Sequence, residues 1–271
     1  MLGDGVNDGP ALKAAHIGVA MGTKGTEIAK AAASLLLTND DLSKLITGIT
    51  AGRRIYVNIK KAVQYIISIH IPIILTVSLP LFFGWIFPQI FTPVHVIFLE
   101  LVAGPTCSIV YESEPMEKNT MQQLPRAITD TFLNWHELSI SILQGLVITG
   151  GVLFVYQLMV QSGGSEEKTR AMVFSTLIFA NVLLSFVNRS FFYSVFESFK
   201  NRNPLLIGIT ILVLVLLTFV LYIEPVSKFF KVGHLTISEL SIALLVAAIS
   251  VLWFELYKMV LRRTKKRPIE N

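Results

Sequence analysis

The chain has 271 residues, 53% hydrophobic and only 15% charged, with a mean hydropathy of +0.63 and a formal net charge of +5. An ordinary soluble domain carries about 25% charge, so the deficit argues against a soluble enzyme, a disordered protein and a nucleic-acid binder. A pI near 9.3 would suit nucleic acid only if the basic residues formed a patch on a folded surface. The single Cys107 excludes an internal disulfide framework and a Cys-based zinc site. The class that remains is a polytopic membrane protein.

The first 58 residues are globular in composition, and no basic n-region with an apolar core follows Met1, so no secretory leader is expected. Gly3-Asp4-Gly5-Val6-Asn7-Asp8-Gly9-Pro10 reads as a Gly-rich turn. A helix is expected over Ala11–His16, a short buried strand over Ile17–Met21, and a second helix over Thr26–Ser34 with Glu27 and Lys30 exposed. Such an order belongs to a parallel α/β sheet. At its C-terminal edge a Gly-rich loop can bring two carboxylates together without Cβ clashes. Asp4 and Asp8, four apart across a tight turn, suit a hard cation such as Mg²⁺, and Asn7 adds an amide for a phosphate oxygen. A plain Asp/Asn turn without metal is the competing reading.

Six apolar stretches follow, at 63–85, 94–111, 138–160, 171–188, 204–223 and 239–257, each close to the ~20 residues a helix needs to cross the hydrocarbon core. Continuous apolarity excludes amphipathic surface helices. Fifteen Lys and Arg lie on one side of the spans: Arg53, Arg54, Lys60, Lys61, Lys118, Arg126, Arg189, Lys200, Arg202, Lys258, Arg262, Arg263, Lys265, Lys266 and Arg267. Only Lys168, Arg170, Lys228 and Lys231 lie on the other, so both termini are expected in the cytoplasm. The polybasic tail could be held by anionic lipid at ~1 kcal/mol per charge.

Polar groups inside the spans are site candidates because insertion is costly. Glu100 sits near the centre of the second span, before Gly104-Pro105. Pro105 should open the helix and free the carbonyl of Leu101, and a carboxylate beside freed carbonyls can coordinate a cation. His70 and Pro72 form a similar pair in the first span. Asn181 could donate an amide oxygen to an ion, or make an interhelical hydrogen bond. His95 is expected at the interface, Glu255 as a structural partner of Lys258 or Arg262, and the loop from Glu112 to Trp135 as a solvated linker.

The string Gly3-Asp4-Gly5-Val6-Asn7-Asp8-Gly9-Pro10-Ala11-Leu12 resembles the GDGVNDAPAL signature of P-type ATPases, with Gly9 where Ala is usual. The likeness continues through Ala14–Gly22, Gly25–Lys30, the stalk-like Gly52–Lys61 and Leu221–Pro225, and is best to the calcium and sodium–potassium pump branch. The resemblance implies a mainly α-helical polytopic membrane protein with six transmembrane helices over 59–271, similar to the family's helices five to ten. Residues 1–58 would be an α/β stub of a haloacid-dehalogenase-like phosphorylation domain, with the stalk. Asp4 and Asp8 would hold the catalytic Mg²⁺ and Asn7 would touch the phosphoryl group. Glu100, His70 and Asn181 would serve the transported cation, with Ca²⁺ among the candidates.

The family's Asp-Lys-Thr-Gly motif, its Thr-Gly-Glu loop and an ATP-binding domain do not occur in these residues. The chain is therefore expected to be the C-terminal part of a pump in the plasma membrane, inactive by itself, reaching ATP only with the N-terminal pump domains. A non-catalytic membrane module, either a split subunit or a decayed remnant, is the alternative. The ion stays open, because the resemblance puts His70 and Ile73 where calcium pumps carry Asn and Glu. Glu100, Ala103 and Gly104 stand in place of Asn, Thr and Asp, and Asn181 in place of a Glu.

Overall fold

The computed structural model describes residues 1–117, 120–122, 124–125, 127, 131–198 and 203–265. Lys118, Arg126, Lys200, Arg202, Lys266 and Arg267 of the basic count lie outside the described residues, as do the side chains of 102–108. The chain divides into two compact units, Met1–Tyr56 with Glu117–Leu124, and Val57–Met116 with Pro125–Asn271.

In the first unit, β1 (Leu2–Gly3), β2 (Val19–Met21) and β3 (Leu35–Leu37) form a parallel sheet in that order. The register pairs Leu2 with Val19 and Val19 with Leu35. Helix α1 (Gly9–Ala14) begins earlier than expected, because Pro10 in its first turn gives up an N–H that has no intrahelical partner anyway. Helix α2 (Glu27–Ala32) is capped by Thr26, whose hydroxyl accepts the Ala29 N–H at 3.4 Å. Leu12, Ala20 and Ala29 form a small core beneath the sheet. Gly18 is needed there: a Cβ would lie 2.3 Å from the Leu12 carbonyl oxygen. Strand β3 was not anticipated, since a three-residue run is too short to show alternation. The segment after residue 116 also joins this unit, where Arg53 donates to the Thr120 carbonyl at 2.9 Å.

The second unit is helical, and its first helix, starting at Ser43, begins within the first unit. Among the described residues, five helices are long and apolar enough to cross a membrane: α3 (Ser43–Phe82), α5 (Trp135–Gln161), α6 (Glu166–Val187), α8 (Pro204–Tyr222) and α10 (Ile237–Lys265). Helix α4 (Pro93–Glu112), of 20 residues, occupies the second apolar stretch. Short helices α7 (Val195–Ser198) and α9 (Glu224–Phe230) lie in connections. Several long helices start on caps that take up free N–H groups: Asn134 with Glu137 for α5, Ser165 for α6 and Asn203 for α8.

Helix α6 is the axis, with 78% of its apolar window buried against 28% for α8 and for α10. Lipid tails are as apolar as the side chains, so small residues and polar contacts hold such helices together. Gly145 brings α5 against α3, where a Cβ would lie 2.7 Å from the Ile71 Cβ. Gly151 brings α5 against Ser250 of α10. Gln144 and Asn188 exchange amide hydrogen bonds at 3.0 and 3.1 Å, with the Ser68 hydroxyl 3.1 Å from Gln144 Oε1.

One expectation is corrected here. Helix α4 runs unbroken from Pro93 to Glu112 through Pro105, so it does not open. Proline removes one backbone bond, and a membrane helix can keep its course when its surroundings satisfy the freed group. Helix α3 likewise contains Pro72 and Pro80 without interruption.

Candidate functional site

The Gly-rich turn closes on Asp8. Its Oδ2 accepts the N–H groups of Asp4 and Gly5 at 3.0 and 2.9 Å. Gly3 makes this fold-back feasible, since a Cβ there would sit 2.6 Å from the Asp8 Cβ. Asp4 and Asn7 are exposed and Asp8 is half-buried. The donor set is therefore two carboxylates and an amide, all hard oxygens, on a turn whose backbone is already tied. That chemistry fits Mg²⁺. Near the start of α3, the Ser43 N–H bonds Asp41 at 2.9 Å, and Ser43 is the chief cause that holds the Asp41 carboxyl below its ordinary value.

In the helical unit, α3 and α4 bring His70 and Glu100 together, with Nε2 3.3 Å from Oε1. His70 Nδ1 lies 2.8 Å from the Ile66 carbonyl oxygen, one turn earlier on α3. A carbonyl only accepts, so Nδ1 carries the hydrogen and Nε2 is left facing the carboxylate. The side chains are 36% and 44% exposed, so the pair is open on one side. Asn181, on α6, is buried, and neither atom of its amide has a hydrogen-bond partner. Its main-chain carbonyl accepts the Tyr65 hydroxyl at 3.2 Å. The interhelical amide bond weighed for Asn181 is thus absent among the described residues, and so is a hydrogen bond from it to His70 or Glu100. No group of three or more His, Cys, Asp or Glu side chains is placed to hold a metal ion among the described residues.

Glu255 pairs with Lys258 at 2.7 Å, and Lys258 also donates to the Val187 carbonyl at 2.6 Å, at the C-terminal end of α6. His95 is fully buried, stacked on Phe91 just before α4 at 5.5 Å and edge-on to Phe174 of α6 and Phe230 of α9. One other expectation fails. The start of the Glu112–Trp135 loop is not solvated, since Glu114 is 4% exposed. Its Oε1 accepts from Arg189 Nε at 2.9 Å and lies 2.8 Å from Nη2, its Oε2 accepts from Asn203 at 2.8 Å, and its main-chain carbonyl accepts from Asn58 at 2.8 Å.

A family model described as "Cation transporting ATPase, C-terminus" matches residues 88–260. The chain belongs to the cation-transporting ATPases. Calcium-transporting ATPase 1 of Lactococcus lactis is 34% identical over 210 residues, which is 78% of this chain and 22% of that protein. A calcium-transporting ATPase of Listeria monocytogenes is 33% identical over 265 residues, 96% of this chain and 29% of that protein. Calcium-transporting ATPase type 2C member 2 of Mus musculus is 28% identical over 260 residues, 96% of this chain and 27% of that protein. The chain therefore spans less than a third of the length of these relatives.

As a cation-transporting ATPase with five apolar helices of spanning length among its described residues, the protein is an integral, multi-pass membrane protein. Its buried polar network around Glu114 and Arg189 escaped sequence reasoning, as did the exchange between Gln144 and Asn188. The available signals were a carboxylate beside Pro115, an amide inside the third apolar run and another at the end of the fourth. Buried Arg170 ties three segments, donating to the carbonyls of Ile90 and Lys231 at 2.7 Å each and bonding Glu166. It had been counted only as a topology charge.

Proposed function

We propose that these residues supply the Mg²⁺ loop and the membrane cation pathway of an ATP-driven cation pump, and that they are inactive without the pump's N-terminal domains. The observation that carries the reading is the meeting of His70 with Glu100 between the apolar helices α3 and α4. A mid-membrane carboxylate is costly, and a bound cation offsets that cost. The unpartnered amide of Asn181 supports its role as a neutral oxygen donor to the same ion. The relatives' names make Ca²⁺ the first cation to test.

Helix α4 is taken as a sixth span beside the five others. Two parallel strand–helix–strand steps support a haloacid-dehalogenase-like stub in the first 58 residues. The basic residues that flank the helices favour cytoplasmic termini, and the plasma membrane is the expected location. Asp4 and Asp8 would hold Mg²⁺, which when bound supplies positive charge against a transferring phosphoryl group. Asp8 also fixes the turn through the Asp4 and Gly5 N–H groups, and this leaves the Asp4 and Asn7 side chains facing outward.

The test is phosphorylation from ATP by a full-length pump that carries this segment. Glu100→Gln keeps the side chain's shape and removes its charge, so it should abolish cation-stimulated phosphoenzyme formation, while Asp8→Ala should abolish phosphoenzyme turnover. Normal cation dependence in Glu100→Gln refutes the cation pathway, and normal turnover in Asp8→Ala reduces the loop to a structural turn.

A further inference from the structure

The cation site carries a nitrogen donor, and that decides more than its charge does. Ca²⁺ is held by six to eight oxygens, drawn from carboxylates, carbonyls and water. Imidazole suits zinc and the later first-row transition metals instead. From His70 and Glu100 the geometry points to a dication of that borderline class, rather than Ca²⁺, as the ion this site prefers. The inference rests on the proposed cation pathway and narrows its substrate.

Two features of the pair support it. A metal-binding histidine almost always donates its other ring N–H to a carbonyl, carboxylate or water, which fixes the tautomer and aims the free nitrogen at the ion. His70 does this, with Nδ1 2.8 Å from the Ile66 carbonyl and Nε2 turned to Glu100. The second feature is spacing. Two donors each about 2.1 Å from one ion and 3.3 Å apart subtend roughly 104° at it, between octahedral and tetrahedral angles. The partial exposure of both side chains leaves further coordination positions open. A protonated imidazole that donates from both ring nitrogens gives the same two distances, so metal titration is what separates an ion pair from a metal site.

The experiment uses the 271-residue chain in detergent micelles, with excess Mg²⁺ to occupy the Asp4–Asp8 loop. Exposed His16, His136 and His234 are changed to Gln to silence adventitious sites. Zn²⁺, Co²⁺ and Ca²⁺ binding is measured by calorimetry, and Co²⁺ also by its visible ligand-field absorption. One Zn²⁺ or Co²⁺ should bind per chain, at least about tenfold more tightly than Ca²⁺. His70→Asn replaces the nitrogen with an amide oxygen; it should weaken Zn²⁺ and Co²⁺ about tenfold or more, alter the Co²⁺ spectrum, and leave Ca²⁺ within about twofold. His70→Ala should do the same to Zn²⁺, which guards against misfolding of one variant. Glu100→Gln should weaken all three ions.

If Ca²⁺ binds more tightly than Zn²⁺, or if both His70 variants bind Zn²⁺ normally, the assignment of ion class is overturned. The underlying pathway would still stand in that case, provided Glu100→Gln weakens Ca²⁺. If Glu100→Gln changes no ion's binding, or if no ion saturates the chain, the pathway itself is refuted and the pair is an ion pair only.

Discussion

Replacing Glu114 with Ala removes a carboxylate that sits in a buried polar cluster at the end of α4. Both charged partners are almost fully enclosed, Glu114 at 4% and Arg189 at 3% exposure. The mutation deletes the acceptor at 2.9 Å from Arg189 Nε and 2.8 Å from Nη2. Removing one partner of a buried ion pair costs about 3–5 kcal/mol, most of it from the charge left behind. Arg189 makes further contacts, so the lower end applies. Asn203 loses its bond to Oε2 but keeps the Val110 carbonyl at 3.0 Å, which adds little. The main-chain bond from Asn58 to the Glu114 carbonyl survives the change. The expected loss is therefore about 3 kcal/mol. Glu114→Gln should lose less, about 1–2 kcal/mol, because an amide oxygen can still accept one bond. The assay is reversible unfolding of the 271-residue chain in mixed micelles with increasing sodium dodecyl sulfate, followed by tryptophan fluorescence. Glu112→Ala, two positions away and exposed, is the control and should stay within about 0.5 kcal/mol of wild type. The double change Glu114→Ala with Arg189→Ala should cost less than the sum of the singles by about 1–3 kcal/mol. A Glu114→Ala variant as stable as Glu112→Ala, or strict additivity in the double variant, would refute the buried-pair argument.

Two further perturbations probe helix packing and the first turn of α3. Gly151→Ala would place a Cβ 2.1 Å from Ser250 Oγ and 3.2 Å from Ser250 Cβ, and should cost about 1–3 kcal/mol in the same unfolding assay. Ser250→Ala in that background should recover most of the loss, and no recovery would mean that Ser250 Cβ and Val246 Cγ1, rather than the hydroxyl, carry the clash. Asp41 accepts the Ser43 N–H, and its carboxyl is held below its ordinary value of 3.8. A depressed carboxyl contributes stability above its unfolded value and loses it as pH falls through the folded one, so the first turn of α3 should loosen as the pH drops below about 4. Amide exchange at Ser43 and Lys44, compared with Asp41→Asn at each pH, checks this; equal exchange in the two proteins above pH 5 would show the carboxylate to be idle.

Local quantities were legible in the amino-acid sequence. An apolar run of ~20 residues is a local property, so the places where α5, α6 and α8 form could be read directly, within about five residues of their observed ends. Helix α10 runs on to Lys265, past the apolar stretch that ends at 257. The Gly-rich turn was readable too, because glycine and aspartate at that spacing constrain the backbone over only a few bonds. So was the pairing of Glu255 with Lys258, three apart on one helix face. Strand β3 was missed because its three leucines form a strand only when β2 is beside them. The course of α4 through Pro105 likewise depends on what surrounds the helix, not on proline alone.

Which polar groups meet was decided by the tertiary structure. Glu114 and Arg189 are 75 positions apart, and neither carries any local mark of a partner. The same holds for Gln144 with Asn188, and for the rings of Phe91, Phe174 and Phe230 that bury His95. His70 and Glu100 could be named singly, since a polar group in an apolar run stands out by its cost. Their 3.3 Å approach, and the tie from Nδ1 to Ile66 that aims the ring, come from the rotation of α3 against α4. Apolar runs look alike from every side in sequence, so composition marks a helix as buried without saying which face turns to which neighbour. Only the packing of small residues such as Gly145 and Gly151, and the matching of polar groups across the helices, sets that rotation.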